Sequence, residues 1–169
     1  GALAYKLFGF SFLSIRLLGI ITFPVYAFFT FRLGKLISGV QVTKWLFYLG
    51  MLCTPFAIEF FGLARGYGAA LACFSGYLFY TFQSFRQPGS TANYLKLVGF
   101  GFFTIAANFS FFSGVFIMAL LLFTKWLLYK ELNIKTLLAR GTGFTLVILP
   151  WVWWILELKT RGLLYYGGS

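Results

Sequence analysis

The chain has no histidine and no aspartate, and its only acidic side chains are Glu59, Glu131 and Glu157. Those absences exclude histidine-based metal sites, histidine general bases and histidine ligation of haem or chlorophyll. Ligation of a pigment metal by carbonyl, water or cysteine stays open. No metal site and no cofactor is expected. Cysteine is nearly as scarce. Cys53 and Cys73 both lie in apolar runs and read as small buried hydrophobes. Pairing the flanking spans about residue 65 sets position 53 opposite position 77, so Cys73 is offset by about four residues, or roughly 6 Å. A disulfide tolerates a Cα separation of about 7 Å at most, so the two thiols are expected to stay unlinked.

Charge of either sign is rare, at 10% of 169 residues, against 60% hydrophobic and 23% aromatic residues. Mean hydropathy is +0.87. A soluble domain is nearer one-quarter charged. Too little polar surface remains to cover a water-soluble core. The apolar runs approach 20 residues, which suits membrane helices rather than the short alternating strands of a barrel. The fold class expected is all-α: a polytopic transmembrane bundle of about six spans in one integral-membrane domain over 1–169. The net charge of +11 does not point to nucleic acid, because the basic residues sit between apolar runs, where the positive-inside rule explains them. The opening "GALAYKLF" has no initiator methionine and no signal-peptide pattern, and it reads as an internal start: an N-terminus removed, one not observed, or numbering that begins partway along a longer protein.

Residues 1–16 carry Lys6 and Arg16 among aromatic residues and predict an interfacial helix. Spans are expected over 17–37 with Pro24 as a kink, 45–63 with Pro55 inside it, 67–85, and finally 141–158, whose end "LPWVWWILEL" forms a tryptophan belt. "RQPGSTAN" is a Pro-Gly turn. From Leu97 to Thr124 there is no charge at all. One helix of about 28 residues would be roughly 42 Å long, well beyond a hydrocarbon core of about 30 Å. The alternative is a hairpin of two short spans turning at "NFSFFSG". With the hairpin, Arg32, Lys35, Lys44, Arg86, Lys96, Lys125, Lys130, Lys135 and Arg140 share one side, and Lys6, Arg16, Arg65, Lys159 and Arg161 the other. That bias and the turn residues Asn108, Ser110, Ser113 and Gly114 favour the hairpin. Both ends are then non-cytoplasmic, with a bacterial inner membrane as the expected location.

The stretch "EFFGLARGYGAAL" places a charged, glycine-rich hinge at the non-cytoplasmic end. Read structurally, Arg65 anchors a helix end, Glu59 pairs with it, and Gly66 and Gly68 permit a turn. Read functionally, Arg65 beside flexible backbone holds a lipid-linked phosphate. Glu131 lies on the opposite side, and Glu157 pairs with Lys159 or Arg161.

The order of features resembles a family. "KLFGFSFLSIRLLGIITFPVYAFFTFRLGKLISG", through Phe8-Gly9, Arg16-Leu17 and Arg32-Leu33-Gly34-Lys35, is similar to a passage of the GT-C class of integral-membrane glycosyltransferases. That class includes relatives of the protein mannosyltransferases and of the aminoarabinose transferase that modifies lipid A. "EFFGLARGYGAAL", "ANFSFF" and "ELKTRGLLYYGGS" resemble later landmarks. The resemblance implies a polyprenyl-phosphate sugar donor, with Arg65 in contact with its phosphate and Tyr67 as the second candidate for that contact. The family's catalytic acid stands on an external loop that would precede residue 1, so no residue here inherits the catalytic role.

Two readings follow. One is a membrane glycosyltransferase lacking that loop. The other is a non-catalytic accessory or scaffold subunit of a larger membrane complex, such as a bioenergetic or photosynthetic one, that binds lipids or pigments along its apolar faces and packs against other integral-membrane subunits.

Overall fold

A computed structural model of the chain describes residues 12–37, 39–62 and 67–161. Every regular element among them is helical: α1 (Phe12–Ile37), α2 (Gln41–Leu52), α3 (Pro55–Gly62), α4 (Tyr67–Arg86), α5 (Thr91–Ala107), α6 (Phe112–Leu128) and α7 (Ile134–Thr160). A 3-10 turn at Phe109–Phe111 joins α5 to α6. The architecture is the all-α bundle that the composition calls for.

The direction of each helix follows from cross-chain contacts. Tyr48 Oη donates to the Phe31 carbonyl at 3.2 Å and Tyr26 Oη to the Met51 carbonyl at 2.7 Å. The pass made of α2 and α3 therefore runs back along α1. The first part of α1 meets the end of α3 so closely that a Cβ on Gly19 would lie 2.3 Å from the Phe61 carbonyl oxygen. Only glycine admits that approach. Phe29 meets Phe79, and Arg86 reaches the Leu36 carbonyl, so α1 and α4 are parallel. The Phe100 ring covers Gly76 while Lys96 stands over Tyr80, so α5 returns antiparallel to α4. Tyr77 binds the Val115 carbonyl and Trp126 the Ser84 carbonyl, so α6 ascends beside α4. Finally Phe123 packs on Phe144 and Trp151 on Phe102, so α7 descends.

Among the described residues α1, the α2–α3 pair, α4, α5, α6 and α7 thus alternate in direction, and the chain reverses at Asn108. One long helix over 97–124 is excluded. The reason is local: Asn108 leaves the helical region for extended backbone, and its side chain accepts from the Ser110 amide at 2.9 Å. The turn after α4 also forms as expected, with Ser90 capping α5 by accepting from Asn93 N. Three segments, Gly19–Ile37, Phe109–Leu128 and Ile134–Thr160, are long and apolar enough to cross a membrane, as an integral membrane protein requires. The main core joins α4, α5, α6 and α7 around the fully buried Tyr77, Val115 and Trp126. Smaller aromatic clusters fix α1 against α3 and α4.

Four expectations change. The second span is not one helix. It breaks at Cys53–Thr54, because Thr54 caps a new helix, accepting from Ala57 N at 3.3 Å, and Pro55 takes its first position. Cys53, placed at that break, is exposed rather than buried, although both thiols are free as expected. The supposed interfacial helix loses residues 12–16 to α1, since nothing between Phe12 and Leu17 breaks a helix. Residues 1–11 lie outside the described part. Lastly, α7 begins at Ile134, seven residues early, because Asn133 accepts from Thr136 N at 2.8 Å. Arg140 therefore sits within a helix rather than at a loop.

Candidate functional site at the basic end of the bundle

Of the hinge residues, Arg65 and Gly66 lie outside the described part. Glu59 is on α3, exposed, and Tyr67 and Gly68 open α4, with Gly68 buried. α3 packs against α4, so Glu59, Tyr67 and Gly68 are held on neighbouring helices at one end of the bundle. Glu59 has no ion-pair partner among the described residues.

The denser polar cluster lies at the other end, where α1, α4 and α6 finish and α2, α5 and α7 begin. Helix C-termini leave carbonyls without intrahelical donors, and the aligned peptide dipoles make them partly negative. Cations from neighbouring helices meet them. Arg86 Nη2 donates to the Leu36 carbonyl at the end of α1, 2.7 Å away. Lys125 Nζ donates to the Phe85 carbonyl at the end of α4, 2.5 Å away, and pairs with Glu131 at 3.0 Å. Arg140 donates to the Pro88 and Gly89 carbonyls of the following turn, at 2.5 and 3.3 Å. This last side chain is the most enclosed. It is 6% exposed, with its guanidinium carbon 5.2 Å from the centre of the Tyr94 ring and 5.0 Å from that of Trp126. Tyr94 Oη in turn donates to the Arg140 carbonyl at 2.5 Å. A planar cation between two aromatic faces, with its donors on carbonyls, is a favourable burial of charge.

Sequence reasoning assigned Arg140 and Lys125 only to orientation in the membrane. The missing signal was three-dimensional: nothing local in "LLARGTG" says that the Pro88-Gly89 turn will lie opposite. The nearest clue is that this proline-glycine turn presents carbonyls with no helix to satisfy them. At the far end of α7, Glu157 pairs with Arg161, one of the two partners expected.

Nine of the cations gather at this end, with Glu131 the one described carboxylate among them. Beside it, a groove of about 590 Å³ runs between α6 and α7, lined by Phe123 on one side and by Leu137, Leu138, Gly141, Thr142, Thr145 and Leu146 on the other. No group of three or more possible metal ligands occurs among the described residues.

Compared with protein-family models, curated proteins and solved structures, the chain matched none.

Proposed function

We propose that this chain is a non-catalytic, membrane-embedded helical subunit. It crosses the membrane in six passes, with its basic end in the cytoplasm and its apolar faces against lipid and other membrane polypeptides. The observation that carries this reading is the use of its charged groups. Arg86, Lys125 and Arg140 tie helix ends together, Glu131 is held by Lys125, and Glu157 is held by Arg161. Groups engaged in this way build a scaffold rather than a reacting centre. The outward apolar surface supports the same reading: α7 presents Leu146, Leu149, Trp153, Trp154 and Leu156, each more than half exposed. The test is extraction from the native membrane in mild detergent, followed by native gel and native mass spectrometry. Comigration with other membrane polypeptides is expected. A chain that runs alone and turns over a glycolipid donor contradicts the reading.

A second reading, a glycosyltransferase-like module contacting a polyprenyl-phosphate sugar through Arg65, Gly66, Tyr67 and Gly68, is favoured by one observation. The helices that carry Glu59 and Tyr67-Gly68, α3 and α4, pack against each other. Native mass spectrometry of Arg65→Ala and Arg65→Lys with added polyprenyl phosphate tests it. Strong loss for alanine and partial loss for lysine support the clamp, because lysine keeps the charge and loses the fork. Unchanged retention in folded Arg65→Ala protein removes it.

A further inference from the structure

We infer that the groove between α6 and α7 seats one acyl chain of an anionic phospholipid, with the lipid phosphate held at the mouth by Lys135. The inference rests on the reading of the chain as membrane-embedded, and it names a ligand and a site. The lining of the groove is aliphatic and aromatic, apart from Thr142 and Thr145. Both threonine hydroxyls are already turned back onto helix carbonyls, Thr142 onto Leu138 and Ala139 and Thr145 onto Gly141. Their methyl groups are left as the available surface.

Helical spacing places Lys135 on the same edge as Leu138, Thr142 and Leu146, at three, seven and eleven residues. Its ammonium is exposed and has no ion-pair partner among the described residues. Asn133 already takes the Thr136 and Leu137 amides at the first turn of α7, and the helix dipole still favours an anion at that end.

Length decides between a lipid tail and a partner helix. From Lys135 to Leu146 is eleven residues, about 16 Å along the axis. One leaflet of hydrocarbon is half of about 30 Å. The groove therefore fits a single chain hanging from a headgroup at the basic end. The exposed apolar residues of α7 run on to Leu156, but the groove itself ends at Leu146, within one leaflet. Charge selects the headgroup, since the cytoplasmic leaflet is rich in anionic lipid and this end carries nine cations against one carboxylate. Gly141 forms part of the wall, and a Cβ there would meet nothing within 4 Å. That open space is volume for the tail.

The test uses the full chain reconstituted in vesicles of equal phosphatidylglycerol and phosphatidylcholine with identical acyl chains, then released for native mass spectrometry. The unaltered protein is expected to retain phosphatidylglycerol in preference. Lys135→Gln should lower that preference by about five-fold, the factor matching one lysine near a lipid surface. Gly141→Phe should remove the retained lipid of both kinds by filling the groove. Lys44→Gln, a cation at the same end but on α2, should change neither. Equal effects of Lys44→Gln and Lys135→Gln would overturn the assignment by reducing it to bulk charge. So would undiminished retention in Gly141→Phe, or a second polypeptide in place of lipid that Gly141→Phe displaces. A protein that inserts and comigrates with membrane partners, yet shows no phosphatidylglycerol preference, overturns the lipid site and leaves the subunit reading standing.

Discussion

Tyr77 Oη donates to the carbonyl of Val115 at 2.8 Å, across 38 residues of chain. The bond lies in the middle of the bundle, with Tyr77 and Val115 both fully buried. It can form only because the chain turns back at Asn108. Gly101 lies beside it, where a Cβ would come within 3.2 Å of the Tyr77 ring.

Replacing Tyr77 by phenylalanine keeps the ring and removes the donor. Interhelical hydrogen bonds in membranes contribute about 0.6 kcal/mol on average and up to about 1.7. Tyr77→Phe should therefore destabilise the bundle within that range, read by reversible unfolding in mixed micelles. Gly101→Leu should cost more, because the new side chain must displace the ring. Equal stability of Gly101→Leu and the unaltered protein would contradict this packing.

Arg140 supplies a second expectation. Hydrogen bonds to charged groups contribute about 1.5–3 kcal/mol each, and this guanidinium makes them to two residues of the 87–90 turn. Arg140→Ala should lower stability by about 3 kcal/mol or more. Arg140→Lys should fall between, since an ammonium cannot span both carbonyls while stacking on Tyr94 and Trp126. Lys135→Ala, at an exposed position on the same helix, should stay within about 0.5 kcal/mol. The same unfolding assay reads all three.

Lys130 has φ of +50°, in the left-handed region, at the end of α6. The Glu131 amide bonds the Trp126 carbonyl and the Lys130 amide the Leu127 carbonyl, which is the Schellman arrangement that favours glycine. The left-handed conformation costs an L-residue roughly 1–2 kcal/mol. Lys130→Gly should stabilise the protein by about 1 kcal/mol, whereas Lys130→Ala, which removes the same charge, should not. A gain of equal size in both variants would assign the effect to charge instead.

These positions separate what was legible in the sequence from what was not. The all-α class, the limits of α4 and the turn at Asn108 were legible because each has a local cause: apolar length, a Pro-Gly pair, and an asparagine amid serines. The break before Pro55 was written in the sequence too, as a capping threonine followed by proline, but the apolar residues on either side made the proline look like a kink. The end of α6 was not legible, because its left-handed residue is a lysine and carries none of the usual glycine signal. The burial of Arg140 was not legible either, since it depends on a turn 51 residues away. Of the hinge, Glu59 lies on α3 and Tyr67 and Gly68 open α4, which packs against it, and Arg65 and Gly66 fall outside the described residues.

The most direct test of a six-pass bundle with a cytoplasmic basic end is sided cysteine labelling. Cys53 and Cys73 are first replaced by serine. Single cysteines are then placed at Phe109 and at Asn133, both exposed, at opposite ends of the α6 hairpin arm. An impermeant maleimide added to intact cells or right-side-out vesicles should label position 109. Position 133 should react only after the membrane is opened. Labelling of position 133 from outside, with position 109 shielded, would contradict the account.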